Sequence, residues 1–258
     1  MNRLTVTIIT LNEEKNLSRA LDSVRGVADE VVVVDSGSRD RTCALARERG
    51  ARVLERPWSD YSEQKNFAAA QASHDWILSL DADEELSPEL QASIQRWKES
   101  TAAEAAYGLQ RRARYLGQWI HHSGWYPDPK LRLYRRDHAR WVGALHEGLE
   151  VDGPTGWLEG ELRHYTVNTF EEHVRSVRRY TTLAARQLFS AGRRDWVLAL
   201  LFASPWAFVR TLIFQLGFFD GRRGLLIALM AAYYVFLKYW KLGVLVRGGS
   251  LEPESGHS

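Results

Sequence analysis

The 258-residue chain has a single cysteine, Cys43. One thiol cannot build an internal disulfide framework, and its scarcity fits a reducing compartment. Its setting, Arg41-Thr42-Cys43-Ala44-Leu45, reads as a packed helix position and not as a nucleophile's. No Gly-x-Gly-x-x-Gly follows the first apolar segment, which excludes the dinucleotide fingerprint of NAD enzymes, and no Gly-Lys-Ser/Thr loop is present either. A phosphate ligand would therefore have to find positive charge other than a glycine cradle. The start, Met1-Asn2-Arg3-Leu4-Thr5-Val6, lacks the charged segment and long apolar core of a signal peptide, so a cytoplasmic setting is expected. There is no internal repeat.

What is present begins with Asp81-Ala82-Asp83-Glu84, directly behind the apolar run Trp76-Ile77-Leu78-Ser79-Leu80. The run predicts a short buried strand, and open α/β sheets bind ligands at the carboxyl ends of their strands. Two carboxylates one residue apart suit a hard divalent cation, Mg2+ or Mn2+, already held by a diphosphate. A metal at Asp81 and Asp83 would supply the charge that the missing glycine loop does not.

The first hundred residues repeat a βα rhythm. Strands are expected at 4–9, 31–34, 51–55 and 76–80. The first is followed by a helix with Leu17, Ala20, Leu21 and Val24 on one face. A helix is expected over 61–72, and Ser87-Pro88-Glu89 opens another with a serine cap and proline at the first helical position. This alternation predicts an α/β, Rossmann-like, mostly parallel sheet with right-handed crossovers. Three strand ends then converge on one edge: Thr10-Leu11-Asn12-Glu13-Glu14, Asp35-Ser36-Gly37-Ser38 and Asp81-Ala82-Asp83. Asp35 can accept from the imide N–H of uracil or from ribose hydroxyls, and Lys65 can meet diphosphate oxygens. Asp40 reads as a helix cap. From about residue 103 the rhythm breaks into strand-like segments at 107–112, 130–134 and around Trp141. Arg132 and Arg135 alternate there with Leu131 and Leu133, as on an exposed strand face.

Taken in order, Thr7-Ile8-Ile9-Thr10-Leu11-Asn12-Glu13-Glu14, Val32-Val33-Val34-Asp35-Ser36-Gly37-Ser38-Arg39-Asp40, Gln64-Lys65-Asn66 and Leu80-Asp81-Ala82-Asp83-Glu84 resemble the family-2 glycosyltransferases. The resemblance extends through Lys130-Leu131-Arg132-Leu133-Tyr134-Arg135 and His146-Glu147, and is closest to bacterial lipopolysaccharide-core and lipooligosaccharide β-1,4-glucosyltransferases. It implies a GT-A fold and inverting transfer of a hexose from a nucleotide sugar such as UDP-glucose to a membrane glycolipid. It also implies that Thr10, Asn12, Glu13, Asp35 and Lys65 line the nucleotide pocket, that Asp81 meets ribose or metal, and that Asp83 ligates the metal. Inversion needs a base on the acceptor side. The Glu-Asp pair that many relatives carry is absent, which leaves Glu147 as first candidate and Asp128 as second; His146 is a candidate further metal ligand. A pyrophosphorylase would need a glycine-rich loop where Leu11-Asn12-Glu13-Glu14-Lys15 stands. A polyprenyl-phosphate sugar transferase and a catalytically silent membrane adaptor are the remaining alternatives.

Charge is uneven. Residues 1–100 hold 13 Lys/Arg against 18 Asp/Glu, whereas residues 175–247 hold 12 Lys/Arg against Asp195 and Asp220 alone. That second stretch also carries the longest apolar runs, of 14 residues from Trp196 and 13 from Leu225. Thr169-Phe170-Glu171-Glu172 has the capping-box pattern and opens a helix expected to end near Gly192. Apolar and basic together point to an anionic lipid surface and not to nucleic acid. Runs this short predict a monotopic helical hairpin on the cytoplasmic face of the inner membrane. The expected organisation is a transferase domain at 1–168, a membrane-associating helical region at 169–247, and a disordered tail at 248–258.

Overall fold

The computed structural model describes residues 1–143 and 147–251. It divides into two compact units, residues 1–112 with 128–165, and residues 113–127 with the chain from 166 onward. The segment 113–127 thus groups with the C-terminal helices.

The first unit opens as the βα rhythm predicts, with β1 (Leu4–Thr10), α1 (Leu17–Val24), β2 (Glu30–Asp35), α2 (Thr42–Glu48), β3 (Arg52–Glu55), α3 (Tyr61–Ala70) and β4 (Trp76–Asp81). Then follow β5 (Glu84–Leu86), α4 (Pro88–Glu99), β6 (Ala106–Tyr115), β7 (Gln118–Trp119), β8 (Asp128–Arg135), β9 (Ala139–Val142), β10 (Gly148–Val151) and β11 (Thr155–Val167). The main sheet runs β3-β2-β1-β4-β8-β6-β11-β5, with β7 beside β6, and β9 and β10 form a separate hairpin. Its first four strands are parallel; β8 enters antiparallel to β4, with Leu78 opposite Leu133.

Register explains why the polar strand ends converge. Thr10 lies opposite Asp35 and Ile9 opposite Asp81, so β1, β2 and β4 finish within a residue of one another. Val32, Val33 and Val34 are fully buried, as a strand covered on both faces requires. Leu17, Ala20, Leu21 and Val24 of α1 pack into the same core as Val6, Ile8, Leu78 and Leu80. The Ser87 hydroxyl caps α4 by accepting from Leu90 N at 3.2 Å, and the Asp60 carboxylate caps α3 by accepting from Glu63 N at 2.8 Å.

In the second unit Thr169 and Glu172 form the expected capping box at the start of α5 (Phe170–Ser190). After α6 (Trp196–Val209) comes a π-helical turn at Arg210–Phe214, then a 3-10 turn at Gly217–Asp220, and α7 (Gly221–Val246). The helical stretch continues through Arg210, and α7 begins at Gly221. The apolar helical stretches therefore run 19 residues (Trp196–Phe214) and 30 residues (Gly217–Val246), long and apolar enough to cross a membrane. Gly224 sits against the Gly217 carbonyl, where a Cβ would collide. Buried Asp220 accepts from His121 N (2.9 Å), His122 N (3.0 Å) and the Ser123 hydroxyl (2.7 Å), anchoring 121–123 to the connection between α6 and α7. Of the expected tail, residues 252–258 lie outside the described residues.

Gly160 in β11 has φ +98° and lies so close to the Leu90 backbone that a Cβ would overlap it. Gly160→Ala combines a strained backbone with a steric clash and should cost about 2 kcal/mol or more. Thermal unfolding measures this; an unchanged midpoint would contradict the close packing of β11 on α4.

Candidate active site

Asp81, at the last position of β4, is gripped by two cations. Its Oδ1 lies 3.0 Å from Lys65 Nζ, and its Oδ2 accepts from Arg132 Nη2 at 2.7 Å. Arg132 also donates to Glu84 Oε1 at 2.9 Å, while Glu84 Oε2 accepts from the Asp81 backbone N–H at 3.0 Å. Burial opposes ionisation of Asp81, but Arg132 and Lys65 outweigh it and hold the carboxyl far below the usual range. Burial likewise works against the Arg132 charge, and Asp81 and Glu84 reverse that, so the guanidinium binds its proton even more firmly than usual. Arg132 is only 4 % exposed. The alternation that read as an exposed strand face is in fact a buried ion-pair position.

The network extends at both ends. Lys65 donates to Glu147 Oε1 at 3.2 Å and stands 4.5 Å over the Trp141 ring. Trp141 is fixed by a reciprocal pair with Asn66, its N–H donating to Oδ1 at 3.0 Å and its carbonyl accepting from Nδ2 at 2.8 Å. At the other end Arg111 bridges Glu84 (3.5 Å) and Asp128 (2.7 Å), and Lys130 adds a contact to Asp128 at 2.9 Å. Burial opposes ionisation of Asp128, but Lys130 and Arg111 lower its carboxyl, which makes it a weak base. Glu147 has Lys65 as its one partner among the described residues.

Asp83 stands apart from this chain. Its Oδ2 is 3.1 Å from His164 Nε2, brought there because β11 pairs with β5 and sets His164 opposite Glu84. Nothing local in the sequence marks His164; the contact depends on a strand register 80 residues away. Glu13 faces the same region. Burial and the charges of Asp83, Asp40 and Asp81 raise its carboxyl, with only Asn16 acting the other way. No three His, Cys, Asp or Glu side chains gather tightly enough among the described residues to cage a metal alone. A cation shared with substrate phosphates needs only one or two protein carboxylates, so Asp83 with His164 fits that role, and Asp81 is committed to its own cations. His146 lies outside the described residues.

The expected nucleotide residues line up along the other strand ends. Asp35 accepts from the Thr10 hydroxyl (2.8 Å), Gly37 N (2.9 Å), Ser38 N (2.7 Å) and the Ser38 hydroxyl (2.5 Å). Burial opposes its ionisation, yet these bonds hold the carboxyl below the usual range. Four accepted bonds fill the lone pairs of a carboxylate. Asp35 thereby organises the turn after β2. Asn12, at φ +56°, donates its N–H to the Ser38 hydroxyl at 2.8 Å and accepts from Arg39 N at 2.9 Å. Asp40 accepts from Thr42 N at 2.9 Å and Glu14 N at 3.1 Å, tying the two turns together, while the N-cap position of α2 is Arg41 and not Asp40 as expected. Cys43 lies beside Asp35; burial and that carboxylate push its thiol up to about 11, so it is no nucleophile.

Comparison with known proteins settles the family. The profile of glycosyl transferase family 2 matches residues 5–150. The chain belongs to that family. The family-2 protein is 31 % identical to an uncharacterized glycosyltransferase of Rickettsia typhi over 254 residues, covering 94 % of this chain and 87 % of the relative. It is 32 % identical to the lipopolysaccharide core biosynthesis glycosyltransferase LpsC of Rhizobium meliloti, covering 93 % and 91 %. A glucosyl-3-phosphoglycerate synthase of Mycobacterium tuberculosis, crystallised with Mn2+, UDP and glucosyl-3-phosphoglycerate, overlaps 44 % of each chain at 24 % identity and a TM-score of 0.36. The family-2 chain is an enzyme, a glycosyltransferase, and its mixed sheet of parallel β3-β2-β1-β4 extended by antiparallel strands is the GT-A arrangement.

Two expectations follow from the site's charges. Arg132→Met leaves Glu84 and Asp81 partly unpaired in a buried position and should cost about 3–5 kcal/mol by denaturant unfolding; a loss under about 1 kcal/mol would contradict the clamp. Asp35 and Asp81 both have lowered folded values. Their stabilisation is complete above the unfolded aspartate value of about 3.9 and is lost as pH falls further. Unfolding free energy should decline below about pH 4, and less steeply in Asp35→Asn; parallel declines would contradict the Asp35 assignment.

Proposed function

We propose that this glycosyltransferase is an inverting, metal-dependent hexosyltransferase that moves glucose from UDP-glucose onto a lipopolysaccharide-core or similar membrane glycolipid. The observation that carries the reading is the end of β4, where Asp83 meets His164 beside the Lys65–Asp81–Arg132 clamp. The relative named for lipopolysaccharide core biosynthesis supports the acceptor class. The exposed apolar helices support membrane association, which we place on the cytoplasmic face of the inner membrane.

In this reading the turns after β1 and β2, built by Thr10, Asn12, Glu13 and Asp35, shape the recess for the uridine. Asp83 and His164 hold the divalent cation, Mg2+ or Mn2+. When bound, that cation offsets charge on the leaving diphosphate. Lys65 contributes positive charge at the same edge, fixed in place by Asp81 in the empty enzyme. Glu147 takes the proton of the acceptor hydroxyl as the hydroxyl oxygen bonds to the anomeric carbon and the bond from that carbon to the diphosphate breaks. The Glu147–Lys65 contact orients the carboxylate toward this task. Asp128, tied to Arg111 and Lys130, is the weaker candidate.

Asp83→Ala should keep the fold and reduce transfer by about 10²-fold or more, because a site that gathers negative charge loses cation affinity, not packing. Near-normal turnover with metal present would remove this reading. Glu147→Gln should leave UDP-glucose binding intact and cut kcat by ~10²–10⁴. If Asp128→Asn shows that phenotype and Glu147→Gln stays active, the base is Asp128.

One observation favours a second reading. Apolar helices of 19 and 30 residues suit a polyprenyl-phosphate acceptor as well as a glycolipid. Product analysis with both acceptor types in vesicles separates the two, since only one should turn over UDP-glucose.

A further inference from the structure

The C-terminal unit contains a cavity of about 510 Å³, lined by none of the residues assigned above to transfer. That volume falls within the roughly 300–1,000 Å³ of small-ligand sites. Two cations line it, Arg210 from the π-helical turn and Lys238 from α7, with Gln215, His173, Trp125 and Tyr234 among the other walls. No carboxylate lines it. Between Trp196 and Arg247 the sequence has six basic residues and one acid, Asp220. Asp220 is buried and already accepts from His121, His122 and Ser123. Among the described residues the Arg210 side chain has no carboxylate partner, and Lys238 is held only by the ring faces of Tyr239 (4.7 Å) and Tyr234 (6.0 Å). A π-turn in an α-helix is uncommon and frequently marks a functional site.

Beyond the cations the surface is apolar. Trp206, Ile213 and Phe214, on the same helical stretch as Arg210, are 53 %, 54 % and 66 % exposed. A lone inorganic anion would leave that apolar surface and the aromatic walls unused. A phosphate with hydrocarbon chains matches both, its charge meeting Arg210 and Lys238 and its chains lying along the exposed apolar residues.

We propose that this cavity binds the phosphate headgroup of one anionic phospholipid. The proposal rests on the reading of the C-terminal unit as membrane-attached, and it goes further, because surface attraction needs no cavity and no fixed stoichiometry.

The full-length protein in an uncharged detergent can be titrated calorimetrically with short-chain phosphatidylglycerol, with phosphatidylcholine of the same chains, and with inorganic phosphate. One phosphatidylglycerol should bind per chain. Phosphatidylcholine should bind about tenfold more weakly or less, and inorganic phosphate should not saturate the site. The double substitution R210Q/K238Q should weaken phosphatidylglycerol by about tenfold or more. Ala231→Trp, which fills the cavity and keeps both cations, should do the same if the cavity is the site. R222Q/R223Q should bind like wild type. Comparable loss in R222Q/R223Q, equal affinity for phosphatidylcholine or for inorganic phosphate, or unchanged binding in Ala231→Trp overturns the proposal. Vesicle flotation gives a separate answer. A chain that binds one phosphatidylglycerol in detergent yet never floats supports the cavity and overturns membrane attachment. One that floats with no saturable lipid site overturns the cavity.

Discussion

Everything at the catalytic edge leans on one carboxylate held by two cations. Asp81 closes β4, Lys65 reaches it from α3 and Arg132 from β8, so a single half-buried charge fixes the parallel and antiparallel halves of the sheet to each other. Signs alternate outward from that point: Glu147, Lys65, Asp81, Arg132, Glu84, Arg111, Asp128, Lys130. Four acids face four bases. A buried ion pair is seldom a net source of stability compared with apolar packing, whereas removing one member leaves a stranded charge. Here its value is positional. The chain sets both candidate bases at fixed distances along one line of contacts and pairs Lys65 with Asp81 and Glu147.

Asp83 and Glu13 are the exceptions to that balance. Neither belongs to the alternating chain, and the Glu13 carboxyl is raised first by its burial and then by the charges of Asp83, Asp40 and Asp81. The contrast between Asp81 and Asp83, two residues apart, comes from strand geometry. Asp81 ends β4 and points among the cations of α3 and β8, while Asp83 follows on the turn into β5, where β11 supplies only an imidazole. Two carboxylates in one short motif thus divide into a structural anchor and an open acid.

The parallel half of the sheet was legible in the sequence because its signals are local, valine runs and a helix face at 17, 20, 21 and 24, and the caps at Ser87 and Thr169 were legible elsewhere for the same reason. So were the three strand ends, since register in a parallel sheet brings them together. The antiparallel half was not. Arg132 obeys the alternation of an exposed strand, and only pairing with β4 and β6 buries it. His164 acquires its neighbour through the pairing of β11 with β5. Asp35 was recognisable as special from four preceding valines, but not that its own turn would fill its lone pairs.

The start of α7 bears on how the two long apolar helices would meet a bilayer. Arg222 and Arg223 sit at its first turn, directly after the connection from α6, and Arg193, Arg194 and Arg247 flank the opposite ends of the pair. Were both helices to cross as a hairpin, the connection with its two arginines would be carried to the far side. Short loops rich in Lys and Arg stay on the cytoplasmic side, and each arginine dragged through the hydrocarbon centre costs about 2.5–3.5 kcal/mol on insertion scales. Length permits a crossing; the charge pattern opposes it. In the membrane-attached reading proposed above, basic residues at both ends would keep both ends on one side, as in a wedge in a single leaflet.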